Sequence, residues 1–571
     1  MNWKFLQSGE PVLAQQLADA LASQSPFPLP LAHILVQRGI KTLDEAKEFF
    51  APQRSLLHDP FLMKGMEKAV NRLVKAINHQ EIVVIYGDYD VDGTTSVALV
   101  ASVLKELGAK YLTYIPDRYV EGYGISMQGV RWAKEQGATL MVALDCGIRA
   151  IEPTKLAQSL GMDLLICDHH IPGPELPDAL AILNPTQSDC QYPYKYLSGC
   201  GIGLKFMMAL VSRMSKSGFL KNIPEFDPLD KYGDLVALSI ACDLVPMTGE
   251  NRLLAHWGLK KLNDHALPGI QALKDQAPKK GNWIISDLVF GIGPKINAIG
   301  RLHHAKDAVE LLMGQYPGVL TIANELEQVN QSRKELDQRI TQQALSMISQ
   351  DRSLPNPKST VLYHQSWHRG VLGIVASKLI EQHFRPTILF ADADGLLVGS
   401  ARSVPGFDLF DALGNCESYI EQWGGHKHAA GLKIRPEHFQ AFKNQFESVV
   451  AQSITPDQLS PDLYIDQDIL FSDIHDKFVR LLDRMEPFGP RNRRPVFAAK
   501  GVNILQQKIL KEKHVKFLLE QSGTSFEAIG FNMADKLAKI PQQQFDIAFQ
   551  PFFDTWNQQT RIKLRLKDFK Y

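Results

Sequence analysis

The stretch IVVIYGDYDVDG at residues 82–93 decides the fold, because an apolar run passes there directly into a turn rich in glycine and aspartate. A short β-branched run of this kind is typical of a strand buried on both faces. The next segment, Thr94–Leu107, has helical spacing and ends at Gly108. The pattern repeats, with further strands predicted at Tyr111–Ile115, Leu140–Leu144 and Leu164–Cys167. Strands and helices alternating in this way predict right-handed crossovers and a doubly wound parallel sheet.

The composition narrows the class of protein. The chain has 571 residues, 45% hydrophobic and 22% charged, with a formal net charge of zero. These values are typical of folded domains and exclude a chain that is basic throughout, but not a local basic surface. No apolar run is long enough to span a membrane, and the first residues lack a signal-peptide pattern. Six cysteines without a CxxC pair favour reduced thiols over a disulfide frame or a zinc knuckle. We therefore expect a cytoplasmic protein that has no membrane association.

The length predicts three or four domains at roughly 150 residues each. Residues 319–350 are polar, free of Gly and Pro and helically spaced, which predicts a connecting helix. From about residue 462, shorter strands and turns predict a small β-rich domain. The predicted division is a helical segment (1–55), a catalytic α/β domain (56–310), the connecting helix (311–353), a second α/β domain (354–455) and the β-rich domain (456–571).

Aspartates and histidines follow three of the predicted strands at the points where those strands end. They are Asp88, Asp90 and Asp92 after the first strand, Asp145 after the third, and Asp168, His169 and His170 after the fourth. A further candidate, Asp243, ends the apolar segment Leu235–Cys242. Because ligands bind at the carboxyl ends of the strands in open α/β sheets, we expect these side chains to converge on one edge.

Carboxylates this close together raise one another's pKa values unless cations neutralise them. Oxygen ligands with a single imidazole suit Mn²⁺ or Mg²⁺ better than zinc. The number of carboxylates predicts two ions about 3.5–4 Å apart, the arrangement used for in-line phosphoryl displacement.

Other interpretations of the same residues are weaker. Asp88–Gly93 begins like an EF-hand loop, but the glutamate needed at position twelve is Leu99, and a strand precedes the loop. Each aspartate alone would be interpreted as a helix cap or a turn former, which does not explain their placement at successive strand ends. For the neighbouring cysteines, Cys146, Cys167 and Cys242, buried packing is favoured over a catalytic thiol.

The glycine-rich segment Gly199-Cys200-Gly201-Ile202-Gly203 invites a dinucleotide-binding interpretation. It lacks the GxGxxG spacing and follows no clear strand, so a tight turn at the start of a helix is favoured. No GxxxxGK[ST] phosphate-binding loop is present in the sequence.

In these motifs the sequence resembles the DHH phosphoesterase superfamily and, within it, the RecJ family of bacterial single-stranded-DNA exonucleases. The segments that carry the resemblance are Gly87–Gly93, Leu144–Gly147, Asp168–His170 and Ala241–Pro246, followed by Trp367–Ala376, Gly399–Ser403 and Gly424–His426. The last three resemble a DHHA1 domain and its phosphate-binding segments. The resemblance implies a doubly wound DHH domain, a long connecting helix, a second α/β DHHA1 domain and a C-terminal β-rich, OB-like domain.

The resemblance also implies a role for each candidate ligand. Asp90 would bind one ion and Asp92 the other, and Asp145 would bridge both. His169 and Asp243 would complete the second ion site.

His170 would face the scissile phosphate or the leaving oxygen, and Asp168 would orient its neighbours. Some members of the superfamily carry a histidine where this chain has Tyr86, so the first ion lacks one ligand here. Asp88 or water would take its place.

The C-terminal region is locally basic, since residues 484–571 hold 16 Lys or Arg and 8 Asp or Glu. Arg561–Lys567 alternates cations with aliphatic residues, which places them on opposite faces of a strand. With Phe552, Phe553 and Trp556 nearby, such a face is suited to holding phosphates and stacking bases, although a solvated strand is the alternative. The DNA-binding residues predicted here are Arg491, Arg493, Arg494, Lys563 and Arg565, and the resemblance adds Arg301, Ser400, Arg402, Gly425 and His426.

The sequence and the resemblance together predict a metal-dependent exonuclease that degrades single-stranded DNA to mononucleotides from the 5′ end, in DNA repair and recombination. Another DHH phosphoesterase, acting on oligoribonucleotides, cyclic dinucleotides or pyrophosphate, is one alternative. A non-catalytic DNA-binding replication factor is the other. Single-strand-binding protein and a DNA helicase are partners implied by the family.

Overall fold

The computed structural model describes residues 1–7, 10–22, 26–216, 226–279, 281–351, 354–393, 395–537, 544–556 and 559–570. The chain divides into two compact units. The larger comprises Lys4–Gly300, His304–Asn324 and Tyr464–Tyr571, and the smaller comprises Glu325–Leu463 with Met1–Trp3 and Arg301–His303. No helix among the described residues has the length and apolar character needed to cross a membrane.

The N-terminal segment is mainly helical, as predicted. Its elements are β1 (Asn2–Phe5), α1 (Pro11–Leu21), α2 (Leu29–Gln37) and α3 (Leu43–Phe50). Pro26 and Pro28 precede α2, and Pro30 lies in its first turn. Helix α3 starts with a capping box, in which the Thr42 hydroxyl accepts from Glu45 N and the Glu45 carboxylate accepts from Thr42 N.

The α/β region that follows contains the predicted parallel sheet. Its elements are α4 (Met66–Asn78), β2 (Ile82–Gly87), α5 (Val91–Glu106), β3 (Lys110–Tyr114), α6 (Met127–Glu135), β4 (Leu140–Leu144), α7 (Ile151–Ser159), β5 (Asp163–Cys167) and β6 (Ala181–Leu183). The strand order is β3-β2-β4-β5-β6, and every neighbouring pair is parallel. Strands β2, β4 and β5 are therefore adjacent, so their carboxyl ends share one edge.

A helical region completes this part of the larger unit and leads into the connecting helix. Its elements are α8 (Gly199–Lys216), α9 (Pro228–Cys242), α10 (Gly249–His265), α11 (Pro268–Asp275), α12 (Ile285–Asp287), a π-helical turn (Leu288–Ile292), α13 (Gly293–Leu302), α14 (Lys306–Met313) and α15 (Gly318–Gln350). Helix α8 begins at Gly199, which confirms that the glycine-rich segment is a helix start. Helix α15 agrees with the connecting helix predicted over residues 319–350.

The smaller unit holds the second α/β fold. Its elements are β7 (Thr360–Tyr363), α16 (Leu372–His383), β8 (Thr387–Ala393), β9 (Leu396–Arg402), α17 (Leu409–Gly414), β10 (Gln422–His426), β11 (Ala429–Ile434) and α18 (Phe439–Ser453). The sheet order is β10-β11-β9-β8-β7, in which only β7 and β8 are parallel. This fold confirms the predicted second α/β domain.

The C-terminal region forms a closed five-stranded barrel. Its elements are β12 (Asp462–Ile465), β13 (Gln467–Asp468), α19 (Asp476–Asp483), β14 (Phe497–Leu510), β15 (His514–Gln521), β16 (Thr524–Gly530), α20 (Ala534–Leu537), β17 (Gln544–Trp556) and β18 (Gln559–Lys570). Strands pair in the order β14-β15-β16-β18-β17, and β17 pairs back to β14. Closure removes the exposed sheet edges and confirms the OB-like prediction.

The N-terminal helices and the barrel share one hydrophobic core. Leu17, Ile34 and Leu35 are buried in the same apolar cluster as Phe478 and Phe549. The Gln37 side-chain amide also donates to Asp466 O at 3.1 Å. The sequence did not predict this contact between segments more than 400 residues apart.

Candidate active site

The candidate ligands converge at the carboxyl edge of the parallel sheet. Asp92 lies in the first turn of α5, Asp145 and His169 follow β4 and β5, and Asp243 caps the end of α9. His169 Nε2 lies 3.2 Å from Asp145 Oδ1, 3.5 Å from Asp243 Oδ2 and 3.8 Å from Asp92 Oδ2. The imidazole is thus surrounded by carboxylate oxygens from three separate segments.

Two glycines permit this crowding. A Cβ on Gly93 would lie 2.3 Å from Asp88 O, so only glycine allows the first turn of α5 to fold back on the strand end. A Cβ on Gly199 would lie 2.7 Å from Asp145 Cβ, so glycine lets the start of α8 reach that residue. Asp145 itself has φ of 59°, a left-handed conformation that costs energy for a residue with a side chain.

Several polar atoms at this edge are buried without a hydrogen bond. Asp88 Oδ1, Asp145 Oδ1 and His169 Nε2 are all in this state. Ligand atoms of Asp92, His169 and Asp243 lie within 4.8 Å of one another, as do those of Asp145, His169 and His170. Unpartnered carboxylate oxygens beside one imidazole fit a hard divalent cation such as Mn²⁺ or Mg²⁺.

The pKa values are shifted in the directions that burial and like charge require. Burial, and then the neighbouring charge of Asp92, hold the pKa of Asp145 well above its usual range. The same two causes raise the pKa of Asp243 to about 8. Burial lowers the pKa of His169, which keeps its imidazole neutral and able to act as a ligand.

His170 has the opposite character. Burial lowers its pKa, but the 2.7 Å hydrogen bond between His170 Nδ1 and Asp168 Oδ1, together with the negative charges of Asp168, Asp243 and Asp92, raises the pKa to about 9. Asp168 is held in place because its other oxygen accepts from Ile148 N at 2.9 Å. The geometry therefore provides a protonated imidazole beside the ligand cluster, held by a buried carboxylate.

The Tyr86 side chain is held by hydrogen bonds away from the candidate ligands. Its hydroxyl donates to Gly124 O at 2.9 Å and accepts from Ser126 N at 3.1 Å, and its ring stacks on Tyr114. Tyr86, at the position where the resemblance implies a histidine in some superfamily members, thus fastens the 115–126 loop.

That loop also carries residues that the sequence analysis missed. The Tyr123 hydroxyl lies 3.1 Å from His170 Nε2, and residue Tyr123 as a whole is 57% exposed. The Arg118 guanidinium lies 4.8 Å from the ring centre of Tyr89. The signal was present as Asp117-Arg118-Tyr119 and Gly122-Tyr123-Gly124 after β3, at the same sheet edge as the acidic motifs.

Helix α13 lies against the carboxyl edge of the parallel sheet, where the candidate ligands converge. A Cβ on Gly293 would lie 2.5 Å from Cys242 Sγ, and one on Gly300 would lie 2.9 Å from Tyr89 O. Both ends of α13 are therefore seated on residues next to candidate ligands. Lys295, in the middle of α13, donates to Gln276 at 2.9 Å.

In the smaller unit, predicted DNA-binding residues share one face of the sheet. Arg402 pairs with Ala429, which pairs with His426, so the side chains of Arg402 and His426 point the same way, as does that of Ser400 two residues earlier on β9. A Cβ on Gly373, in the first turn of α16, would lie 2.5 Å from Arg402 Nη2.

Two more predicted residues of the smaller unit lie close to these. Arg301 Nη1 donates at 3.0 Å to Gly370 O, in the 3-10 turn that leads directly into α16. Gly425 has φ of 154°, and a Cβ there would lie 2.4 Å from Ala429 O, so glycine is required. The unit brings a helix N-terminus, a serine and two arginines together, which suits a phosphate.

Three family models match successive parts of the chain. They are the DHH family, N-terminal domain (residues 82–240), the DHHA1 domain (residues 356–452) and the RecJ OB domain (residues 465–568). The chain is 34% identical to the single-stranded-DNA-specific exonuclease RecJ of Escherichia coli K12 over 536 residues, covering 91% of each chain. The chain belongs to the RecJ family.

The chain is also similar to other RecJ proteins in sequence and in structure. The RecJ of Bacillus subtilis strain 168 is 34% identical over 561 residues, which cover 97% of this chain and 69% of that protein. The crystal structure of RecJ in complex with Mn²⁺ from Thermus thermophilus matches with a TM-score of 0.84 and 26% identity, covering 100% of this chain and 79% of that chain.

Within the region matched by the RecJ OB domain, the predicted cations differ in their partners. Lys563 is paired with Glu527 and Asp554 at 2.9 and 2.7 Å. Arg494 is paired with Asp483 at 2.6 Å. Arg565 is exposed, with its guanidinium 5.2 Å from the ring centre of Phe552.

The remaining predicted positions of this region are also on the surface. Arg491 is exposed and lies over Tyr196 at 4.7 Å, and Arg493 is exposed. On β18 the aliphatic residues Leu564 and Leu566 are buried between the cations, as the alternating sequence predicted. The side chain of Trp556 lies outside the part of the chain that the structure describes.

Proposed function

We propose that this chain is a metal-dependent exonuclease that degrades single-stranded DNA to mononucleotides in the 5′→3′ direction, in DNA repair and recombination. The observation that carries the proposal is the convergence of Asp92, Asp145, His169 and Asp243 on one sheet edge in a chain of the RecJ family. Two relatives that align with more than nine-tenths of the chain are named single-stranded-DNA-specific exonucleases.

Two divalent ions, Mn²⁺ or Mg²⁺, would be held by Asp90, Asp92, Asp145, His169 and Asp243, with Asp88 beside the first. When bound, the ions supply an activated water and stabilise charge on the phosphate oxygens. The buried, unpartnered oxygen of Asp145 is suited to bridge them.

His170 would act on the leaving side of the reaction. Its raised pKa, about 9, keeps the imidazole protonated at neutral pH. A protonated imidazole can donate to a phosphate oxygen or to the departing 3′ oxygen. Asp168 would hold the ring and its proton in position through the 2.7 Å hydrogen bond.

Two surfaces would bind the DNA strand. Ser400, Arg402, Gly425 and His426, with Arg301, would seat phosphates in the smaller unit, where a helix N-terminus and a guanidinium occur together. Arg565, Arg491 and Arg493 would hold the strand on the barrel region, with lesser contributions from the ion-paired Lys563 and Arg494.

The alternatives lack a supporting observation. A non-catalytic replication factor would not need the ligands that the resemblance implies, and the sequence carries each of them except the histidine at the position of Tyr86. A phosphoesterase of small substrates would not need the barrel matched to the RecJ OB domain. The proposal extends to cytoplasmic location and to single-strand-binding protein and a DNA helicase as partners, which the family resemblance supports.

The test is degradation of one single-stranded oligonucleotide labelled at either end, with Mn²⁺, Mg²⁺ or chelator. We expect immediate release of a 5′-labelled mononucleotide, a shrinking ladder from the 3′-labelled strand and no cleavage in chelator. Binding without cleavage in any metal would favour the replication factor. Neither binding nor cleavage would favour a small-substrate phosphoesterase.

A further inference from the structure

Helices α5, α8 and α9 meet at a single carboxylate, that of Asp92. Two backbone amides at the start of α8 donate to it, Gly199 N to Oδ2 at 2.7 Å and Cys200 N to Oδ1 at 2.8 Å. The Ser239 hydroxyl, from α9, donates to Oδ1 at 2.7 Å. Asp92 and Ser239 are both buried, with exposed fractions of 1% and 0%.

The direction of the serine hydrogen bond follows from its surroundings. Ser239 Oγ lies 2.7 Å from Asp92 Oδ1 and 2.6 Å from Ser198 Oγ. A carboxylate only accepts, so the single proton of Ser239 is committed to Asp92, and the Ser198 hydroxyl supplies the proton between the two serines.

These contacts leave Asp92 with one oxygen for an ion. Oδ1 accepts two hydrogen bonds, from Cys200 N and Ser239, whereas Oδ2 accepts one and faces His169 Nε2 at 3.8 Å. The partial positive charge at the start of the 18-residue helix α8 offsets part of the crowded negative charge.

The position of Ser239 links it to a second ligand. Ser239 lies one helical turn before Asp243, so both side chains are on the same face of α9. The helix thereby places Asp243 near His169 and Ser239 against Asp92. One element fixes both carboxylates of the same ion site.

We propose that Ser239 is a positioning residue for the ion site formed by Asp92, His169 and Asp243. Its hydrogen bond, with the amides of α8, holds Asp92 so that Oδ2 alone points to the ion. The inference rests on the proposed function, since it requires the chain to bind divalent ions. The inference adds to the ion site a residue that would contact neither the ion nor the DNA.

The test measures Mn²⁺ binding directly, by calorimetry on the metal-free full chain. We expect Ser239→Ala to weaken binding of one of the two ions by about 10- to 100-fold, the usual effect of removing a group that orients a metal ligand. Saturating Mn²⁺ should restore DNA cleavage to near the parent rate, because Asp92 itself is still present.

Ser96→Ala is the matched control. Ser96 is equally buried, and its hydroxyl donates at 2.7 Å to the backbone oxygen of Asp92 instead of the carboxylate. Ser239→Ala loses its hydrogen bonds to Asp92 and Ser198, and Ser96→Ala loses its hydrogen bond to the Asp92 backbone, so the melting temperatures of both variants in chelator should fall. Mn²⁺ affinity should fall only in Ser239→Ala.

Each outcome has a distinct meaning. Equal Mn²⁺ affinity in the parent and Ser239→Ala would overturn the inference, as would equal losses in both serine variants. Failure of Mn²⁺ to restore cleavage in Ser239→Ala would also count against a positioning role. A parent chain that binds no Mn²⁺ would instead refute the proposed metal-dependent function.

Discussion

At the carboxyl edge of the parallel sheet, carboxylates are buried against one another, whereas on strand β18 of the barrel Arg565 is exposed and Lys563 is paired with acids from neighbouring strands. Asp145 Oδ1 has no hydrogen-bond partner, and the pKa of Asp145 is raised by burial and by like charge. Lys563, in contrast, is paired with Glu527 and Asp554 within the barrel.

The comparison shows how to separate two kinds of charged site. Buried like charges are costly unless an outside cation balances them, so the sheet edge requires a ligand. Exposed cations on a strand are stable in water and require no bound ligand. Charge clustering alone therefore indicates function more strongly at the sheet edge than on the barrel.

The largest expected effect tests the sheet edge. We expect Asp145→Ala to slow cleavage by about 10³-fold, since loss of a bridging carboxylate removes several kcal/mol at 1.36 kcal/mol per tenfold. Single-turnover release of a 5′-labelled mononucleotide measures the rate. DNA affinity in chelator should match the parent. Activity above a few per cent of the parent would rule out the two-ion assignment.

A smaller effect is expected for the phosphate-binding face of the smaller unit. Arg402→Ala should lower kcat/KM by about 10- to 100-fold, because a charge-assisted hydrogen bond to phosphate contributes about 1.5–3 kcal/mol. Steady-state cleavage of 5′-phosphorylated and 5′-hydroxyl oligonucleotides provides the measurement. Arg402→Lys keeps the charge but not the paired N–H donors of the guanidinium. Its kcat/KM should therefore lie between those of the parent and of Arg402→Ala. An unchanged KM would contradict a role in phosphate binding.

Substitution of a single arginine on the barrel should have a smaller effect. Arg565→Ala should reduce single-strand affinity a few-fold and lower the slope of log K against log salt by about 0.7, the value for one lost phosphate contact on a single strand. Fluorescence anisotropy at several salt concentrations measures both. Arg565→Lys keeps the charge and should keep the slope. Cleavage of a short substrate should be unaffected, and an unaltered slope in Arg565→Ala would argue against DNA binding by this strand.

The smallest expected effect is a change in melting temperature, which should be positive without metal and negative with it. In chelator, Asp145→Asn should raise Tm by a few degrees, because it removes a buried charge crowded by Asp92 and Asp243 at a cost of order 1 kcal/mol. With saturating Mn²⁺ the same variant should melt below the parent, since it loses binding energy that stabilises the folded state. Thermal melts under both conditions provide the check. Equal shifts in both would show that the crowding is not relieved by a cation.

The parallel sheet and its ligands were predictable because they depend on local patterns. Strand β4 occurs at Leu140–Leu144 as predicted, since a short apolar run bounded by Gly137 and Asp145 has few alternatives. Helix α5 starts three residues earlier than predicted, because the Asp90 carboxylate accepts from Gly93 N and caps it. Convergence of the acidic motifs followed from the fold class alone.

Contacts between distant segments were not predictable from such patterns. The glycine-rich start of α8 was identified as a helix start, but nothing in the sequence indicated that its amides bind Asp92, over 100 residues earlier. The 115–126 loop was missed because Tyr123 gains significance only through its distance to His170. Ion pairing of Lys563 likewise depends on Glu527 and Asp554 from other strands.

The core shared by the N-terminal helices and the barrel has a consequence for synthesis on the ribosome. Phe50 and Phe549 belong to the same cluster, and about 500 residues separate them, so translation needs roughly 25 to 100 s to make the second after the first. During that interval the apolar faces of α1 and α2 lack their partner and are open to chaperones or to wrong contacts. The barrel region therefore completes its fold only after the ligand-bearing sheet has left the ribosome.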